Sequence, residues 1–222
     1  LCLLSDSTNA ERPGATVSES KVGKTLDLLF LSSQGKRILV ATFASNIHRV
    51  QQIVDNAIKH NRKVAVSGRS MVNIVGKAVE LGYLKIPKNI LIDIDATHRL
   101  PPENVVIITT GSQGEPLSAL SRMAAGDHRK ISVSSKDVII ISATPIPGNE
   151  KSVNRVVNDL LKLGAEVIYK SVHEIHVSGH GCQDELKMML SVVKPKFFLP
   201  VHGEFKHLKA HANLAIATGV KE

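Results

Sequence analysis

The chain has 222 residues, 43% of them hydrophobic, a net charge of +8, and only 3% aromatic residues with no Trp. That length allows one large domain or one and a half small ones, with enough apolar material for a core. The positive balance suggests a polyanionic partner, RNA or DNA before a membrane surface, although scattered lysines on a basic enzyme fit it as well; so few rings argue against gripping single strands mainly by base stacking.

Taken in order, residues 1–4 read as a buried strand and 17–31 have helical spacing. Residues 37–43 form an apolar strand, 46–60 an amphipathic helix, 63–66 a strand and 70–81 a helix. The stretch 83–87 reads as a short loop. Strands are expected at 89–93 and 105–109, and a helix with Pro in its first turn at 116–125. Residues 138–142 form a strand, 150–163 a helix ended by Gly164, and 166–169 a strand. A helix at 182–193, a strand at 197–201 and a helix at 204–217 complete the chain. This rhythm predicts an α/β fold, mainly a parallel sheet sandwiched by helices.

No stretch approaches the roughly 20 apolar residues of a membrane span. Cys2 and Cys182 form no CxxC pair and lack the density of a secreted disulfide scaffold, which points to a reducing cytoplasm. The chain opens on an apolar run with neither Met nor a basic leader, as expected of a piece of a larger protein. Apolar strands cut from their neighbours, such as 1–4 and 197–199, would expose surface and lower solubility.

Several strands run out into small polar residues and glycine before a helix: Ser45-Asn46, Ser67-Gly68-Arg69, Thr110-Gly111-Ser112-Gln113-Gly114 and Ser142-Ala143-Thr144-Pro145. In open α/β sheets ligands bind at the carboxyl ends of strands, where helix N-termini offer free N–H groups to anions. Singly, each loop reads as ordinary capping and turn chemistry. Together, in a basic protein, the four read as a phosphate-binding rim.

Two histidine motifs stand near the C-terminus, His176-Val-Ser-Gly-His180 and Pro200-Val-His202-Gly-Glu204, the latter at a strand end where an imidazole is well presented to a metal. Asp6 ends the first strand, and a carboxylate beside a histidine can hold its tautomer and keep a proton on it for donation. Neither HxHxDH nor CxxC occurs. Spacing alone therefore supports one or two metal ligands, too few to close a catalytic zinc site.

The segments Leu4-Ser-Asp6-Ser-Thr-Asn-Ala-Glu-Arg-Pro-Gly14, Ala41-Thr-Phe-Ala-Ser-Asn-Ile-His-Arg49, Thr110-Gly-Ser-Gln-Gly-Glu-Pro116 with Ala119-Leu-Ser-Arg-Met123, Ile146-Pro-Gly-Asn149 and the two histidine motifs together resemble ribonuclease J. This is a bacterial family in the β-CASP branch of the metallo-β-lactamase fold, and the resemblance runs along essentially the whole chain. It implies a β-CASP domain at 20–170, flanked by metallo-β-lactamase pieces at 1–19 and 171–222, an incomplete portion of that domain.

The resemblance also implies roles. Asp6 and His180 match the acidic and histidine motifs that act on the scissile phosphate, His180 over the phosphate and Asp6 supporting it. His202 matches a ligand of one zinc in a two-zinc site whose other ligands lie upstream of this chain. Ser45 and Asn46 match a loop that helps to hold the RNA 5′-monophosphate, with the Ser178-Gly179 turn beside it. Phosphate contact is extended to Arg69 and Ser112 only from their places at strand ends.

The implied parent is a cytoplasmic, zinc-dependent 5′-to-3′ exoribonuclease and endoribonuclease of RNA processing and decay. It would act on single-stranded, preferably 5′-monophosphorylated RNA and assemble as a homodimer or tetramer. This chain alone would be inactive. A different reading is a stand-alone, non-catalytic β-CASP module that binds RNA. A generic nucleotide-binding domain fits less well, because no GxxxxGK[ST] or GxGxxG loop is present.

Overall fold

Runs of Ile, Val and Leu supply the strands, since β-branched side chains fit a pleated, buried surface. In the computed structural model, which describes residues 1–146, 148–169 and 175–221, seven strands and seven α-helices alternate along the chain. They are β1 Cys2–Asp6, α1 Glu19–Ser32, β2 Arg37–Ala41, α2 Ile47–Lys59, β3 Lys63–Ser67, α3 Arg69–Glu80 and β4 Val105–Thr109. There follow α4 Ala119–Ala124, β5 Asp137–Ile141, α5 Glu150–Lys162, β6 Glu166–Ile168, α6 Gln183–Val193, β7 Phe197–Val201 and α7 Phe205–Ala217. They fall into two units, Leu1–Ser18 with Val177–Glu222, and Glu19–His176.

In the larger unit five strands pair in the order β3-β4-β2-β5-β6, every pair parallel. The central strands are buried on both faces. Leu39, Ala41, Val105, Ile107, Ile139 and Ile141 point into one core with Leu120 and Met123 of α4 and Val153, Val157 and Leu160 of α5. Their alternates Ile38, Val40, Val106, Ile108, Val138 and Ile140 are buried equally. The α/β class with helices flanking a parallel sheet is therefore as expected. In the smaller unit β1 and β7 run parallel in the register Cys2↔Phe197 to Asp6↔Val201. Leu4, Phe197 and Leu199 are exposed, 59%, 61% and 53%.

Two expected elements differ. Residues 89–93 form no strand: only Val64 and Leu91 make an isolated bridge, with Val64 N–H donating to the Ile90 carbonyl and Ile92 N–H to that of Val64. The chain then turns into a 3₁₀ helix, Ile94–Arg99, because Asp93 Oδ1 accepts the Asp95 N–H at 2.8 Å. The helix expected at 116–125 is only Ala119–Ala124. Its start is set by Ser118, whose hydroxyl caps it by accepting from Ser121 N–H, so Pro116 stays in the preceding turn. Pro147 and the domain border expected at 170/171 lie outside the described residues.

His128 is one of the groups that couple this unit to pH. His128 Nδ1 accepts the Ile131 N–H at 3.1 Å and the Lys130 N–H at 3.4 Å, while its Nε2 lies 3.1 Å from Ser67 Oγ at the end of β3. Burial, then the charges of Arg122 and Lys130, push its pKa below the ordinary histidine value. A folded value below the unfolded one means stability is full above the unfolded pKa of about 6.5 and falls with pH beneath it, where only the unfolded chain takes up the proton. The stability lost in urea melts between about pH 7 and pH 5.5 should be smaller for His128→Gln than for the wild type; equal losses would show that other groups carry it.

Candidate active site

Parallel pairing of β1 with β7 brings Asp6 and Val201 side by side, so Asp6 and His202 leave the carboxyl ends of neighbouring strands. His202 takes a left-handed conformation, φ 59°, followed by Gly203 at φ 138°. Histidine tolerates that region better than most residues, yet it is a place where backbone strain is held for a purpose. The His202 side chain is 68% exposed. His180 arrives from the loop before α6. Its Nδ1 lies 2.9 Å from Asp6 Oδ2, and its ring stacks on that of His202 with centroids 5.5 Å apart. Asp6, His180 and His202 thus offer ligand atoms within 4.8 Å of one another.

Thr8 Oγ1 donates to Asp6 Oδ1 at 2.9 Å. Partial burial pushes the Asp6 carboxyl up, but the hydrogen bonds from Thr8 and His180 and the histidine's charge outweigh it and hold the group below the usual carboxylate range. An ionised Asp6 only accepts, so the hydrogen between the pair sits on His180 Nδ1 and Nε2 is the edge left for chemistry.

The His180 loop is fixed from below. Asn9, buried, donates its amide to Ser178 Oγ at 2.9 Å and to the His180 carbonyl at 2.8 Å. Glu185 accepts the N–H groups of Thr16 at 2.8 Å and Cys182 at 2.7 Å, closing the start of α6. Ser178 Oγ also accepts the His180 N–H at 3.2 Å, and Gly179 is exposed.

In the larger unit the sheet order creates a second locus. From β2 the chain passes through α2 to β3 on one side, whereas from its neighbour β5 it passes through α5 to β6 on the other. Connections that diverge from adjacent strands open a crevice at their carboxyl ends. Ser45, exposed, and Asn46 lie there, with residues 142–144 after β5. Asn46 Oδ1 caps α2 by accepting the Arg49 N–H at 3.0 Å. Arg69, the first residue of α3, is exposed after β3. Ser112 differs from the expectation: it is 2% exposed, which leaves its hydroxyl no face for a phosphate. Its loop is held shut by Gln113, whose side chain donates to the Thr144 carbonyl at 3.0 Å and accepts the Ile146 N–H at 2.7 Å. His176 is half-buried here, and burial, then the Arg49 charge, lower its pKa.

A family model described as "Ribonuclease J, beta-CASP domain" matches residues 35–160. The chain belongs to the ribonuclease J β-CASP family. A second model, "Zn-dependent metallo-hydrolase RNA specificity domain", matches residues 164–221. Ribonuclease J of Helicobacter pylori strain J99 is 51% identical over 222 residues, 100% of this chain and 32% of that protein. Ribonuclease J of Synechocystis is 50% identical over 220 residues, 99% of this chain and 34% of that protein. Ribonuclease J of Mycolicibacterium smegmatis is 50% identical over 217 residues, covering 98% and 39%. The chain thus spans about a third of the length of the curated relatives it matches.

The donors present fit part of a zinc site. Imidazole nitrogen and carboxylate oxygen are ligands zinc accepts, and His202 presents an exposed imidazole with Asp6 Oδ1 4.0 Å from its Nε2. Asp6 already accepts from Thr8 and His180, so within the triad the open ligand atoms are on the imidazoles, His202 and Nε2 of His180.

Buried polar residues that the sequence did not single out complete both places: Ser7, Asn9 and His211 around the triad, Arg49 beside the crevice. Ser7, Asn9 and Arg49 lie inside the quoted motifs. His211 carries no signal beyond its four-residue spacing from His207.

Proposed function

We propose that this chain is the RNA-gripping part, and a partial active site, of a zinc-dependent ribonuclease J-like 5′-to-3′ exo- and endoribonuclease of RNA processing and decay. The convergence of Asp6, His180 and His202 supports it most directly. Residues 20–170 form the β-CASP domain, and 1–19 with 171–222 belong to the metallo-β-lactamase portion. The free cysteines, exposed Cys2 and buried Cys182, suit a cytoplasmic setting, and no helix among the described residues is long and apolar enough to cross a membrane.

His202 would hold one zinc of a two-zinc site. A zinc bound there would polarise the phosphate and bring its bound water toward hydroxide at neutral pH. The chain's own residues do the rest. Asp6 pins Nδ1 of His180, so Nε2 faces the phosphate and, when protonated, steadies charge on its oxygens or passes a proton to the leaving 3′-oxygen. Asn9 and Glu185 hold that loop still. The Ser45-Asn46 loop at the sheet crevice, Arg69, and the Ser178-Gly179 turn contact RNA phosphates, the first seating a 5′-monophosphate. Ligands for the remaining zinc positions are missing from the triad, so the chain alone binds RNA without cutting it.

Fluorescence anisotropy with a labelled single-stranded RNA tests the grip. Neutralising about three phosphates should weaken binding roughly twentyfold between ~50 and ~200 mM salt. A 5′-monophosphate should bind more tightly than a 5′-triphosphate. Salt-independent binding, or equal affinity for the two ends, would sink the reading.

A further inference from the structure

One buried pair near the triad is left over by that reading. His211, on α7, is 0% exposed. Its Nδ1 lies 3.0 Å from Ser7 Oγ, its ring meets Phe198 of β7 edge-on at 4.7 Å, and its Nε2 is buried with no hydrogen-bond partner among the described residues. Ser7, also 0% exposed, follows Asp6 directly. Every polar group of Ser7 is used. Its carbonyl accepts the Ala10 N–H at 3.0 Å, its hydroxyl meets His211, and its N–H donates to the His202 carbonyl at 3.2 Å.

The tautomer follows from burial. If Ser7 donated to Nδ1, His211 would carry its hydrogen on Nε2, an orphan donor in an apolar site. If Nδ1–H donates to Ser7, Nε2 keeps only an unpaired acceptor, and the Ser7 hydroxyl can reach the Ser5 carbonyl at 3.5 Å. The second arrangement is the less costly.

A left-handed non-glycine residue persists only where its surroundings over-determine it. The Ser7 N–H is a hydrogen bond on His202 coming from the turn that carries Asp6. We propose that His211 and Ser7 are positioning residues: Nδ1–H of His211 fixes Ser7, and Ser7 in turn holds His202 in its left-handed conformation with the imidazole turned toward Asp6. This rests on the reading of His202 as a zinc ligand for its purpose, but not for its geometry.

The test uses the isotope-labelled whole chain and two readouts, the amide shift with the φ-sensitive HN–Hα coupling of His202, and its response to added Zn2+. Ser7→Ala and His211→Leu should shift the His202 amide, change its coupling and weaken Zn2+ binding about tenfold or more. His211→Asn, whose amide N–H can reach the same oxygen, should restore both. If the His202 signals are unmoved by Ser7→Ala, the proposal is overturned, and this holds even if His211→Leu does not fold. It falls too if His211→Asn behaves like His211→Leu, for then ring bulk and not the N–H holds the turn. Zn2+ leaving His202 of the wild type untouched would refute the zinc reading, while the coupling still decides the proposal.

Discussion

Replacing Arg49 with Met is expected to destabilise the chain by about 3 kcal/mol in urea denaturation, the lower end of what breaking a buried ion pair costs. The guanidinium is 0% exposed. Its Nε and Nη2 both lie 2.7 Å from Glu19 Oε1, and Nη1 donates to the Ile175 carbonyl at 2.8 Å and to the Ser142 hydroxyl. Methionine fills similar space but strands the Glu19 carboxylate, while the Ser142 hydroxyl keeps its donation to the Ile175 carbonyl. The lower end applies because the Glu19 side chain is 36% exposed and water can reach it. Glu19→Gln keeps an acceptor but leaves the 0%-exposed guanidinium without its counter-charge, so it too should cost about 3 kcal/mol. An Arg49→Met midpoint equal to wild type would mean the guanidinium stabilises nothing.

Gly114→Ala should be comparably severe, for a backbone reason. Gly114 sits at φ +71°, and an added Cβ would lie 2.5 Å from the Ser152 carbonyl carbon and 2.7 Å from Val153 N. These are backbone atoms in the first turn of α5, which cannot swing aside. The left-handed conformation costs an L-residue about 1–2 kcal/mol and the overlap adds about as much, giving roughly 3 kcal/mol in all. Gly126→Ala is the control: φ is +76° but nothing lies within 4 Å, so only the first part, about 1 kcal/mol, should appear. Equal losses at the two glycines would mean that contact with α5 does not matter.

The fold was legible where burial and periodicity agree. The runs 105–109 and 197–201 coincide with β4 and β7, because continuous apolar stretches of that length between turn signals have few alternatives. Legibility failed at 89–93, where an Asx turn at Asp93 competes with pairing, and at 116–118, where Ser118 sets the helix start. Asp6, His180 and His202, which the structure brings together, lie within continuous motifs. Ser112 follows β4, but it is buried, which its place in the sequence does not show. The Ser7–His211 contact joins residues 204 positions apart, and Arg49 to Ile175 spans 126. Neither has a local pattern; each exists only once the strands have paired.

The most direct measurement is cleavage of a 5′-monophosphorylated single-stranded RNA by this chain in the presence of zinc, with binding followed in the same samples. RNA bound in a salt-sensitive way and recovered at full length is the predicted result. RNA shortened by the wild type but not by His180→Ala would contradict the account, since it would require the triad to complete a working metal centre without further ligands.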